Sequence, residues 1–444
     1  MMARMADDES QTMTAAPGRP AADRSRMPEK SRATAAQAGT ATEQAVPGWL
    51  TRLAVVGLVL AALNLRPAIP SLGALLQEVR AGLGMSGSVA GLLTSVPPLC
   101  FGVFGIAAPR LSRRWGPGAV VCAGMAAIAA GLLIRPFVGG TAAFLATSAL
   151  ALAGIAVSNV LMPVIVKRWF PDRVGPMTGL YSMAVALGTA LAAAVTVPMT
   201  EALGGSWRIG LAVWALLAVL AVLPWLPLAR DRSGTAGEAP GVRLDGPAVR
   251  ITRSPTAWAL ACFFGLQATA AYITMGWLPQ IFRDAGVPAS TAGVLLAVTM
   301  GLGVPLSFVL PRIAARVRHQ GPIALTLGAC GLSGYAGLYF APAAGAWAWA
   351  LLLGVSNCAF PLVLTLIGMR SRTGAGVVRL SAFVQSAGYL ISIPGPLLVG
   401  VLYQHSGGWE LPIALMAGLM LPQLALGFLA GRNRVVEDEH GVLA

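Results

Sequence analysis

From about residue 53 the chain alternates apolar stretches of roughly 20 residues with short polar breaks, the length a helix needs to cross about 30 Å of hydrocarbon. Twelve such stretches can be placed, near residues 53–76, 88–108, 118–137, 142–166, 176–199, 207–228, 256–281, 289–311, 322–341, 346–368, 380–402 and 410–430. Inside a bilayer the backbone must satisfy its own polar groups, so runs of this length and spacing specify helices. Charge content agrees: 11% of the 444 residues are charged and 56% are hydrophobic, against about 25% charged in a soluble domain. The expected fold class is therefore an all-α membrane protein with twelve transmembrane helices.

The polar segments divide the chain. Residues 1–48, rich in Ala, Thr, Ser and Pro, read as a disordered tail; no apolar run follows their basic residues closely enough for a signal peptide. Residues 229–255 hold the longest internal polar stretch and read as a linker between six-helix halves at 49–228 and 256–431, with 432–444 as a C-terminal tail. Of the 31 Lys and Arg residues, 26 fall on the side shared with the N-terminus and four (Arg80, Arg135, Arg208, Arg283) on the other. That asymmetry predicts cytoplasmic termini in the cell inner membrane. It also explains the net charge of +14 as a topology signal, so nucleic acid is not an expected partner.

Catalysis has little raw material here. The five cysteines (Cys100, Cys122, Cys262, Cys330, Cys358) lie in apolar runs without metal-ligand spacing, and the three histidines (His319, His405, His440) lie outside them. The expectation is a protein that is no enzyme and uses no cofactor or metal.

The halves repeat one another. Ala90-Gly91 recurs as Ala292-Gly293, Pro109-Arg110 as Pro311-Arg312, and Trp207 as Trp409, each 202 residues later; Ser158-Asn159 with Pro163 recurs as Ser356-Asn357 with Pro361, 198 later. Two parallel six-helix repeats joined by a linker resemble the major facilitator superfamily, whose fold is then expected in two pseudo-symmetric halves. Its usual loop motif after the second span survives only as Arg114, Gly116 and basic character in PRLSRRWGPG; Pro109 replaces its first Gly and Arg113 its Asp. Asn64-Leu65-Arg66-Pro67, Ser158 to Pro163 running into Lys167–Arg173, MTGLYSMA (Met177–Ala184) and Phe264 to Pro279 resemble the cyanate permease / nitroimidazole exporter family. The resemblance implies transport of small solutes, cyanate or nitroimidazole among them, and leaves direction open.

Arg66 is the most informative residue. Leu53 to Leu65 is too short to cross alone, and extending the run to Leu76 puts Arg66 near mid-membrane. A guanidinium there costs roughly 2.5–3.5 kcal/mol on insertion scales. All 17 acidic residues lie outside mid-span positions, so a solute is expected to supply the counter-charge: a planar anion or a nitro group matched to the guanidinium fork. Bonding to carbonyls freed by Pro67 and Pro70, or snorkelling to an interface, is the structural alternative.

Neutral partners are sought around it. Asn64 adjoins Arg66, and Asn159 and Asn357 occupy equivalent places four residues before Pro163 and Pro361, where they could serve substrate or helix backbone. Gln267, at the repeat position of Leu65, joins Tyr272 and Trp277 in span seven; Tyr181, Gln385 and Tyr389 come from spans five and eleven. Each could instead bridge helices. Arg110, Arg114 and Arg312 are read as loop charges with a candidate gating role, and Pro67, Pro163 and Pro361 as kink points. No Asp, Glu or His lies mid-span, which points toward facilitated diffusion, anion exchange or protonation of the solute itself. A monomer is the expected state. Export of neutral drug-like compounds across an aromatic surface is the alternative reading.

Overall fold

A computed structural model describes residues 48–230 and 251–440; the expected N-tail, most of the linker and the last four residues lie outside the described residues. Among the described residues eleven helices are long and apolar: Gly87–Trp115, Pro117–Phe137, Thr141–Trp169, Pro176–Ala202, Trp207–Arg230, Pro255–Asp284, Ala289–Arg316, Gly321–Phe340, Ala346–Met369, Gly376–Ser406 and Glu410–Ala430. These are spans two to twelve.

Span one differs from the continuous helix expected. It is a 17-residue helix, Gly48–Asn64, followed by a non-helical break and two short helices, Pro70–Ala74 and Leu76–Leu83. Pro67 and Pro70 explain the break, because neither can donate an amide and each ring crowds the preceding turn. The freed groups are re-satisfied locally: the Ser71 amide and hydroxyl both donate to the Pro67 carbonyl, at 3.1 and 2.5 Å. Span ten also breaks, between Asn357 and Ala359, just before Pro361, whereas span four runs unbroken through Asn159 and Pro163.

Two loop assignments need correcting. Span two continues helical to Trp115, so Arg110 and Arg114 are exposed in its final turns, and Arg312 sits likewise within Gly303–Arg316. Basic side chains suit a helix C-terminus, where unpaired carbonyls gather. Gly116, at φ 83°, makes the turn into span three in a single residue. Arg370 is also no surface charge: it is 1% exposed, its Nε donating to the Ala430 carbonyl at 3.0 Å and its NH2 to Gln320.

The membrane face from which both described segments begin and end is called proximal here, the other distal. Within the first half, span three packs on spans four and six, and span one on spans five and six; in the second, span nine packs on spans ten and twelve and span seven on eleven and twelve. The halves meet through small residues on the distal side. A methyl on Gly400 of span eleven would lie 2.4 Å from the Gly87 carbonyl oxygen and 2.6 Å from the Gly91 Cα of span two. One on Gly293 of span eight would lie 2.6 Å from the Ala193 carbonyl oxygen of span five. Gly91 and Gly293 are repeat equivalents, so both halves use the same position for backbone approach.

A candidate central solute site

The broken midpoint of span one places Arg66 between the halves. Leu65 and Pro67 are buried, but Arg66 is only half-buried. Its guanidinium carbon lies 6.0 Å from the centroid of Phe101 in span two, at the outer limit of a cation–π contact. Phe101 stacks on Tyr389 of span eleven at 5.1 Å, and Tyr389 meets Phe264 of span seven edge-on at 5.1 Å. Tyr272, Tyr181 and Tyr389 lie close enough to Arg66 to feel its charge.

Among the described residues no carboxylate lies within ion-pair distance of Arg66. The carbonyls released by the break are not its partners either. Pro67 O is taken by Ser71, and Ala68 O accepts from Arg135 at 3.4 Å. A permanent charge thus faces an aromatic-walled, solvent-reached space with donors to spare.

The other candidates divide into two groups. Asn159 and Tyr181 are half-buried and bonded, the Tyr181 hydroxyl donating to Asn159 Oδ1 at 2.6 Å. Gln385, also half-buried, donates to Ser381 Oγ at 2.8 Å. Four residues are committed elsewhere. Asn64 donates to Leu60 O and, across to span six, Leu217 O, at 2.9 and 3.0 Å. Gln267 is 1% exposed; its amide donates to Asn357 O and Oδ1 at 3.1 and 3.0 Å and its oxygen accepts from Gln423 at 2.8 Å. That network ties spans seven, ten and twelve, and binds Asn357 into it. Trp277 lies distally, donating to Thr94 at 3.2 Å and packing on Tyr403 and Trp409.

Sequence reasoning missed Phe101 and Phe264, because phenylalanines in apolar runs carry no mark of facing a cavity. It also missed Gln423, although a lone glutamine in the apolar span twelve was a visible signal. Arg135, placed by count in a distal loop, occupies the loop position but turns its side chain fully inward, with 1% exposure.

The distal face is closed around this site. Glu78 and Arg283 join the halves in a two-pronged ion pair at 2.6 and 3.0 Å, and Gln404 accepts from the Ser88 amide and hydroxyl at 2.8 Å.

Residues 54–377 match the Major Facilitator Superfamily model. The chain is similar to the uncharacterized transporter YycB of Bacillus subtilis (strain 168), 35% identical over 86% of this chain and 94% of the relative. It is 31% identical to the 2-nitroimidazole transporter of Escherichia coli (strain K12), over 86% and 96% of the two chains. It is 32% identical to the cyanate transport protein CynX of the same organism, over 82% and 94%. A bacterial homolog of the human lysosomal transporter Spinster, solved inward-facing and occupied, superposes with a TM-score of 0.70 at 14% identity, over 86% and 96%.

Proposed function

Because the chain belongs to the major facilitator superfamily, we propose that it is an alternating-access carrier whose central site binds a small anionic or nitro-bearing solute such as cyanate. It is a multi-pass membrane transporter and not an enzyme. The observation that carries the solute class is Arg66: a half-exposed guanidinium in the break of span one, with no acid beside it among the described residues. A cation that keeps no protein counter-charge is complementary to an anion or to the partial charge on nitro oxygens. The aromatic rings of Phe101 and Tyr389, with Tyr272 beside them, suit a flat solute. The relatives named for cyanate and 2-nitroimidazole fall in this chemical class.

The arginine asymmetry supports cytoplasmic termini in an inner-membrane protein, and on that reading a closed distal face corresponds to an inward-facing state. Rocking of the halves, acting as a monomer, would then carry the site across. Asn159, Tyr181 and Gln385 line the path, while Asn64, Gln267 and Asn357 hold helices in place.

Uptake of radiolabelled cyanate and 2-nitroimidazole by proteoliposomes tests this. Arg66→Gln should weaken solute affinity on the order of 30-fold or more, the cost of removing one partner of a desolvated charge pair, while the protein still inserts. Arg66→Lys should also fail, since a point charge cannot make the two-pronged contact. Unchanged transport by Arg66→Gln would sink the anion reading and favour export of neutral nitro compounds across the aromatic wall.

A further inference from the structure

The proximal ends of the two halves carry equivalent places that are filled differently. In the second half, the segment after span twelve folds back onto the start of span seven and the loop between spans ten and eleven. Val436 is buried there, its amide donating to the Arg370 carbonyl at 3.0 Å. Glu437 accepts from the Ser371 hydroxyl and, at 3.1 Å, from the Arg372 amide, and Asp438 pairs with Arg372 at 2.8 Å. Glu439 accepts from the hydroxyls of Ser254 and Thr256 at the start of span seven. Three consecutive carboxylates thus tie a helix start to a loop.

The internal repeat puts the first half's counterpart at the start of span one and the loop between spans four and five. Ser254 lies 202 residues after Arg52. Spans four and ten end at Trp169 and Met369, and the next α-helices begin at Val174 and Gly374. This counterpart is an open cleft of about 420 Å³, lined by Arg52 and Val55 of span one, Trp169, Asp172 and Arg173 around the loop, and Met177 of span five. Arg52 and Arg173 are both exposed, and among the described residues neither side chain has an ion pair; the one carboxylate of the lining, Asp172, pairs with neither.

The place that takes carboxylates in one half therefore presents surplus cations in the other. The sequence after span six does not match the acidic run Glu437–Glu439: Asp231, Glu238 and Asp245 are offset by Arg232, Arg243 and Arg250. The cleft opens at a membrane face, where tryptophan is favoured and basic pockets between helices hold anionic lipid headgroups. Its volume falls within the roughly 300–1,000 Å³ of small-ligand sites. The guanidinium groups suit a phosphate, and Val55, Trp169 and Met177 suit the apolar carbons below it.

We propose that the cleft between span one and the loop of spans four and five binds the phosphodiester headgroup of an anionic phospholipid. The lipid braces the proximal end of the first half as the C-terminal carboxylates brace the second. This site is separate from Arg66 and independent of what the central site carries.

Thermal unfolding of the detergent-purified full chain, titrated with phosphatidylglycerol or with phosphatidylcholine of the same acyl chains, reads the site. The unfolding temperature should rise saturably with phosphatidylglycerol, and neither phosphatidylcholine nor inorganic phosphate should reproduce the rise. Arg52→Gln and Arg173→Gln should each weaken the apparent phosphatidylglycerol affinity roughly fivefold, the worth of one basic group against an anionic lipid. Asp172→Asn should tighten it. Arg316→Gln, an exposed charge at the proximal end of span eight, should leave it unchanged, which separates the cleft from a general attraction of the basic face. Arg66→Gln should leave it unchanged too. A flat titration, the result expected if another segment of the chain already fills the cleft, would overturn the inference. So would an equal rise with phosphatidylcholine or inorganic phosphate, or a phosphatidylglycerol affinity that Arg52→Gln and Arg173→Gln do not alter.

Discussion

The distal and proximal parts of the same helices are built by different rules. In span two, Gly87 and nearly all residues from Ala90 to Gly102 are buried, whereas between Val103 and Trp115 only Ala108 is. Span eight repeats the contrast: six residues of Ala289–Gly301 are buried, but only Leu310 and Ala314 of Gly303–Arg316. The distal parts touch the opposite half backbone to backbone, through Gly91 on Gly400 and Gly293 on Ala193. Their proximal continuations leave large side chains such as Val103, Phe308 and Val309 uncovered. One end is thus packed backbone to backbone across the halves, and the other leaves large apolar side chains exposed. The inequality is what the proposed rocking of two halves would need, because whichever face is shut must be packed as well as a protein interior.

The comparison breaks first at the glycines. Gly400→Val introduces atoms where even a methyl would lie 2.4 Å from a carbonyl oxygen, and backbone on both sides leaves no side chain to yield. Overpacking of this kind costs about 1–3 kcal/mol, so the population opened distally should rise by roughly fivefold to 150-fold. A Ser95→Cys probe, beneath Gly91 in a background with the native cysteines replaced by alanine, should then react correspondingly faster with an impermeant thiol reagent applied distally. Equal rates would mean that the glycine contact is not the seal.

The ion pair gives a smaller effect. Glu78 and Arg283 are partly exposed, with side-chain exposures of 33% and 16%, so solvent screens much of their attraction. Glu78→Gln should raise the same labelling rate about fivefold, the equivalent of about 1 kcal/mol. The rise should shrink in high salt for the unaltered protein's comparison, since screening weakens the pair there already.

How far the sequence foretold this depends on what each residue's role is decided by. The spans were legible because bilayer thickness fixes a run length, and Arg66 was legible because a lone charge in oil is costly wherever the helices go. Asn64 was not, since its partner Leu217 lies 153 residues away and only the packing of span one on span six brings them together. Arg135 was not, because an arginine at a span's end reads as a loop charge until tertiary structure turns it inward. The continuity of span one was misjudged for a local reason: Pro67 reads as a kink point within one span, whereas with Pro70 it ends the helix at Asn64.

The smallest effect sharpens the comparison on the proximal side. The Tyr181–Asn159 hydrogen bond joins spans five and four within a single half, so it moves with that half and bridges no gate. Removing the hydroxyl by Tyr181→Phe should leave the distal labelling rate unchanged. It frees Asn159 Oδ1, an acceptor, at the edge of a site whose solute is proposed to be an electron-rich anion. The altered carrier should therefore bind cyanate about threefold more weakly, toward the lower end of the worth of one neutral hydrogen bond. Transport with raised KM, unaltered labelling and normal thermal stability is the expected triad of readings. A change in distal labelling instead would show that spans four and five do not move as one body, and the division into a shut end and an open end would have to be redrawn helix by helix.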